Sequence, residues 1–229
     1  MADALRNSRR QRIPWWLNQA LAVRLAQAWL LAAGCGSQPG PGIVLITVDT
    51  LRADALDPYR PADTPGLTPR LSQLASESTL FERALAPMSL TRPSHFSIFT
   101  GRYPREHGVM NNQIALPDRE LTLAEILQRE GYLTGAFVGV KLLGEGSGAE
   151  QGFGRFAAPK TQLEWPASRV VARAIAWLEA LPEAAPFFLW VHLFDPHQPY
   201  HPPAAFRDHP DPRSDERRVG KESRSRAPP

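Results

Sequence analysis

The sequence predicts an α/β domain, three-layer α/β/α with a mostly parallel sheet, and three observations carry that expectation. Three short apolar runs, Ile43 to Val48, Leu133 to Val138 and Phe187 to Leu193, have the length and composition of strands buried within a sheet. Segments with helical spacing and helix-start chemistry lie between them. A chain that alternates strand and helix in this way builds a sheet with helices on both faces.

The first run is apolar and mostly β-branched, which predicts a strand buried on both faces, and it ends in Asp49. Thr68 and Pro69 then open a helix: Thr68 supplies a capping hydroxyl, Pro69 suits the first helical position, and Leu71, Leu74 and Ala75 form its apolar stripe. Pro93 in a first turn marks another helix start, just after Thr91. Thr122 and Glu125 form a capping box that starts a short helix, and Gly131 ends it. Ser168 to Leu181 predicts a further helix, with Val171, Ala174, Ile175 and Leu178 on one stripe and Pro182 closing it. No internal repeat is visible.

Charge separates the ends from the middle. The overall formal charge is +3; residues 1–34 carry +4, residues 213–229 carry +3, and residues 35–212 are left with −4. The part expected to fold is mildly acidic, which argues against nucleic acid as a partner. The N-terminus has five Arg before the apolar segment Leu25 to Ala33, which is too short to span a bilayer. Leu31 to Cys35, ending in Gly34 and the single cysteine, resembles a bacterial lipoprotein signal. Residues 1–34 are therefore read as a signal peptide, Cys35 as the lipidated residue and residues 35–42 as a flexible tether. Localisation in the bacterial cell envelope follows, lipid-anchored on the periplasmic side or at the cell surface. Residues 43–212 are the domain. From Arg213 the charged, aperiodic run RSDERRVGKESRSR resembles the translation of a common sequencing-adapter read with two substitutions, and residues 213–229 are set apart from the fold as an adapter artefact.

Two residues suggest chemistry. Asp49 follows the first strand, so its carboxylate is expected at the carboxyl edge of the sheet, where open α/β folds bind ligands. Thr91 carries a hydroxyl that becomes a useful nucleophile only with a metal, a base or a helix N-terminus to stabilise its alkoxide. His192 lies within the third strand and by alternation faces away from Leu193 and Asp195, as a side chain either packed in the core or supporting the site residues from behind. His201 and His209, in a Pro-rich loop, are read as solvated.

Four segments in order, VLITVDTLRAD, TPRLSQLASESTLFERALAP, TRPSHFSIFTGRYPREHGV and VHLFDPHQPYHPP, resemble the N-terminal half of the sulfatase family, part of the alkaline phosphatase superfamily. The resemblance runs from about Ile43 to Pro203 and implies an alkaline phosphatase-like fold of which this chain is a truncated, N-terminal fragment. It also implies that Asp49 binds a divalent metal cation, while Thr50 stands where the family often has a second Asp. Thr91 takes the place of the Cys or Ser that becomes formylglycine, a conversion that threonine does not undergo. Related superfamily members that cleave phosphodiesters or transfer phosphoethanolamine use threonine directly, so Thr91 is the candidate nucleophile and a further metal ligand. His95 replaces the signature arginine beside it. The resemblance gives His107 a structural role, makes His197 the candidate general acid, and leaves Lys141 as the candidate substrate-binding cation where many sulfatases have a Lys-x-His pair.

The implied function is metal-dependent hydrolysis of sulfate or phosphate esters, with Ca2+ as cofactor for sulfatase-like chemistry and Zn2+ or Mn2+ for a threonine-nucleophile phosphodiesterase or phosphoethanolamine transferase. Two donor residues hold neither type of ion tightly, and the family's remaining ligands are expected beyond this fragment. A non-catalytic envelope binding protein on the same fold is the alternative from another class.

Overall fold

The computed structural model describes residues 40–61 and 66–199. The calls made on Cys35, His201, His209, the signal segment and the tail lie outside them.

Four strands form one sheet in the order β1-β4-β2-β3, all parallel. They are β1 (Ile43–Val48), β2 (Leu133–Val138), β3 (Arg155–Ala157) and β4 (Phe187–Leu193). Among the described residues the α-helices are α1 (Pro69–Ser76), α2 (Thr91–Thr100), α3 (Pro104–His107), α4 (Leu123–Arg129) and α5 (Ala167–Glu179). The three strands expected from the sequence have the expected bounds; β3 is too short to carry a periodic signal.

Alternation along the central strand β4 sorts the core into two layers. Phe188 and Trp190 join Ala136 and Val138 of β2 beneath Phe96 and Phe99 of α2 and Ala124 of α4. Leu189 and Val191, with Phe137, face Val170 and Ala174 of α5 on the other side. Both faces of β4 are covered, which is why its run is apolar apart from His192. Parallel strands also send their carboxyl ends to one edge. Asp49 after β1, Lys141 after β2 and His197 after β4 therefore share that edge.

Three local expectations are corrected. The strand β1 is not buried on both faces: Val44 and Ile46 are 50% and 59% exposed. It lies at the end of the strand order, and the helix on that face, α5, packs on β2 and β4. In α5 the buried stripe is Val170 and Ala174 with Trp177 and Leu178 packed beside them, whereas Val171 and Ile175 are exposed. The rotation seats the Trp177 indole over Gly135, where an added Cβ would stand 2.8 Å from the ring. Thr68 does not cap α1; its hydroxyl accepts the Asp57 backbone N–H at 2.9 Å, while the Asp57 carboxylate accepts from the backbone of Leu67 and Thr68. The Thr122 capping box forms as expected: Thr122 Oγ1 accepts the Glu125 N–H at 3.1 Å and the Glu125 carboxylate accepts the Thr122 N–H at 2.9 Å.

Candidate active site

The β1–β4 ladder continues one residue past β1, where the Asp49 N–H donates to the Leu193 carbonyl at 2.9 Å. Asp49 thereby leaves the sheet at its carboxyl edge, fixed by the backbone. Thr50 follows with φ at 57°, in the left-handed region. A β-branched residue is costly there, by about 1–3 kcal/mol, and such strain concentrates where a chain must make a defined exit from a strand.

Thr91 is the first helical residue of α2 rather than the residue before it, with Leu90 extended ahead of it. The helix N-terminus is held from a neighbouring loop: Asn112 Oδ1 accepts the Arg92 N–H at 3.0 Å, and the Arg92 guanidinium donates to the carbonyls of Leu142 and Ile114. Thr91 Oγ1 donates to Asp49 Oδ2 at 2.9 Å across 42 residues of sequence. The two residues singled out as reactive thus meet, in a cavity of about 500 Å³ also lined by Thr47, Thr50, Ser94 and His95. Burial works to raise the Asp49 pKa, but the adjacent His192 and the Thr91 hydroxyl together hold the carboxyl below its ordinary range.

His95, one turn into α2, is 6% exposed and its tautomer follows from donor accounting. Trp190 Nε1 can only donate, and it donates to Thr47 Oγ1 at 3.0 Å. The Thr91 carbonyl, 2.8 Å from His95 Nδ1, can only accept, so Nδ1 holds the proton of the neutral ring and Nε2 is left to accept from the Thr47 hydroxyl 3.2 Å away. His95 therefore fixes the Thr91 backbone as a neutral donor, without the full charge an arginine would bring. Burial first, and His192 second, push its pKa from 6.5 down to about 4.

A stability prediction follows. Above pH 6.5 the imidazole is neutral in folded and unfolded chains; between pH 6.5 and about 4 the unfolded chain takes up a proton that the folded chain refuses. Stability is expected to fall across that window, by on the order of 3 kcal/mol. Urea midpoints measured at stepped pH with chelator present check this, and His95→Gln should flatten the slope.

Other expected residues fall elsewhere. His107 is fully buried: Ser97 Oγ lies 3.1 Å from its Nε2, and its Nδ1 accepts the Val109 N–H at 3.2 Å, a structural role as read. Lys141 is exposed, opens a 3₁₀ turn and stands outside the cavity around Asp49. His197 stacks on Phe194 with ring centroids 4.3 Å apart and lines a separate cavity of about 360 Å³ with Asp195, Glu164 and Trp165. Asp195 caps α5, accepting the Ala167 N–H. The residue that sequence reasoning undervalued is His192. It faces away from Leu193 as alternation requires, but that direction brings its Nε2 to 3.6 Å from Asp49 Oδ2. Its spacing from Trp190 and Phe188, on the face that meets α2, was the available signal.

A parallel α/β sheet whose first strand ends in a carboxylate bonded to a hydroxyl on the first turn of the helix packed over it agrees with the alkaline phosphatase-like fold that the resemblance implies. Residues 41–225 match the sulfatase family model, and the chain belongs to the sulfatase family. Arylsulfatase A of Homo sapiens is 41% identical over 138 residues, which cover 55% of this chain and 26% of that protein. A solved structure of a protein in complex with its substrate D-glucosamine-2-N,6-O-disulfate superposes with a TM-score of 0.63 at 24% identity, over 71% of this chain and 36% of the other. A protein of the alkaline phosphatase superfamily from Vibrio parahaemolyticus gives a TM-score of 0.57 at 20% identity, over 76% and 45%. The two structural matches speak for the fold. The chain spans about a quarter of the length of the curated relatives it matches, 22% and 26% for the bovine and human arylsulfatases A. Among the described residues no helix is long and apolar enough to cross a membrane.

Proposed function

We propose that this chain belongs to a metal-dependent sulfate ester hydrolase in which Thr91 is the nucleophile. The observation that carries the reading is the 2.9 Å bond from the Thr91 hydroxyl to the Asp49 carboxylate at the sheet's carboxyl edge. Ligand-type atoms of Asp49, His95 and His192 lie within 4.8 Å of one another, and Asp49 with Thr91 Oγ1 beside it is suited to a cation. A divalent cation held by Asp49 and the Thr91 oxygen would supply Lewis-acid polarisation of the ester and stabilisation of the alkoxide.

The chain's own residues do the rest. Asp49 Oδ2 is placed to take the Thr91 proton, and the helix N-terminus, held by Asn112, presents its positive end to the ester anion. Thr91 Oγ1 attacks the central sulfur or phosphorus and the bond to the departing alcohol oxygen breaks. His197, at the same edge, is the proposed donor of a proton to that oxygen, and exposed Lys141 the proposed cation for the outer ester oxygens. Water then cleaves the threonyl ester.

A second reading, phosphodiester hydrolysis or phosphoethanolamine transfer, is favoured by Thr91 itself. The ester that an unmodified hydroxyl forms with phosphate is more readily resolved by water than the one it forms with sulfate. Ca2+ suits the first reading and Zn2+ or Mn2+ the second. The sequence from Leu31 to Cys35 supports export and lipid anchoring at the cell envelope.

The test is turnover of p-nitrophenyl sulfate, p-nitrophenyl phosphate and bis-p-nitrophenyl phosphate by the purified protein, with and without chelator. Chelator-sensitive release from the sulfate supports the first reading, and release from the diester alone replaces it with the second. No release from any, with metal bound, rejects catalysis in favour of an envelope binding protein.

A further inference from the structure

The reaction sketched above leaves His192 unused, yet it is the least satisfied side chain at the site. It is 0% exposed, and neither Nδ1 nor Nε2 has a hydrogen-bond partner among the described residues. An unpaired buried polar group costs about 1–3 kcal/mol, so a folded chain keeps one where something else engages it. Nε2 stands 3.6 Å from Asp49 Oδ2, too far for a good hydrogen bond. That is the separation of two ligands on one small ion, because two bonds of about 2.0–2.2 Å at a tetrahedral angle put the donor atoms roughly 3.4 Å apart.

His95 is not an equivalent donor. Its ring lies 4.9 Å from that of His192, but Nε2 accepts from Thr47 and Nδ1 donates to Thr91. Of the two imidazoles in the cluster, only that of His192 has a lone pair to give. Thr91 Oγ1, bonded to the same Asp49 oxygen, is a third donor. Thr50, meanwhile, brings no carboxylate. Among the described residues the donor set is one carboxylate, one hydroxyl and one free imidazole, and the imidazole nitrogen suits zinc-like ions, whereas calcium prefers oxygen ligands.

We propose that His192 Nε2 is a metal ligand beside Asp49, and that the cation centre of this chain is a mixed nitrogen and oxygen site that takes zinc ahead of calcium. The inference rests on the reading that Asp49 holds a cation. An ion on Nε2 engages one of the two orphaned nitrogens without moving the strand.

The experiment is X-ray absorption at the zinc edge of the zinc-loaded purified protein, with zinc and calcium affinities measured by calorimetry. Imidazole outer-shell scattering is expected in the parent and in His95→Gln and lost in His192→Phe and His192→Gln. Zinc affinity should fall about 100-fold in both His192 variants, at least the loss seen when a ligand's outer partner is removed. His192→Phe keeps the ring volume and loses no hydrogen bond, so its metal-free form should melt no lower than the parent; a purely structural histidine would give a lower melting temperature and unchanged zinc binding, which overturns the proposal. Zinc bound through oxygen alone also overturns it while leaving Asp49 as a ligand. If Asp49→Asn binds zinc as well as the parent does, the cation reading of the site fails with it.

Discussion

Thr91→Ala is expected to lower ester turnover by about a thousandfold or more, while Thr91→Ser stays within about tenfold of the parent. The alanine variant loses the oxygen that bonds Asp49 Oδ2 at 2.9 Å, and no other hydroxyl contacts that carboxylate among the described residues. Ser94 lines the same cavity one turn along α2, but it does not bond to Asp49. The backbone is indifferent to the change. Thr91 occupies the first helical position, where alanine fits, and the His95 bond is to the Thr91 carbonyl rather than its side chain. Stability should therefore drop by only about 1 kcal/mol, the net worth of one hydrogen bond. Initial rates of both variants, with circular dichroism and urea midpoints alongside, separate loss of a nucleophile from loss of fold. Equal rates in the two variants would remove the hydroxyl from the reaction and with it the proposed function.

The strands, the capping box and the Asp49 and Thr91 pair were legible because each depends on local pattern: a run of apolar residues, a spacing of three, a carboxylate at a strand end. What escaped was set by neighbours. The exposure of Val44 and Ile46 reflects where β1 falls in the strand order, which its own residues do not encode. The face of α5 was misjudged by one position because Trp177 needs the gap at Gly135, a pairing across 42 residues of sequence that no window contains. His192 was read correctly for direction and wrongly for importance. Alternation tells which way a side chain points; only the pairing of Val48 with Leu193 tells that Asp49 waits beside it. Thr47 and Trp190, which anchor the second nitrogen of His95, gave no sequence signal because they read as ordinary strand residues.

Trp190→Ala is expected to destabilise the fold by about 3–5 kcal/mol, and Trp190→Phe by a smaller amount with a distinct effect on the site. Trp190 is fully buried in the central strand, packs edge-on against Phe99 with centroids 4.6 Å apart, and stacks at 5.9 Å on Phe153. Its truncation leaves a cavity between the sheet and α2, the helix that carries Thr91. Phenylalanine restores much of the ring contact but lacks the Nε1–H that makes Thr47 Oγ1 an acceptor. Once that donor is gone, the Thr47 proton is no longer directed at His95. The Thr91 carbonyl, which can only accept, still holds the Nδ1 proton at 2.8 Å, but the imidazole loses the partner that anchors its other nitrogen. Held at one nitrogen only, the ring loosens, and with it the contact that fixes the Thr91 backbone. Trp190→Phe should therefore keep a cooperative urea transition, lower kcat more than it raises KM, and show a changed pH dependence of stability between 6.5 and about 4, the range in which His95 stays neutral in the folded chain. A Trp190→Phe protein with the parent's kcat and the parent's pH slope would show that the chain of donors from indole to imidazole does not govern the nucleophile.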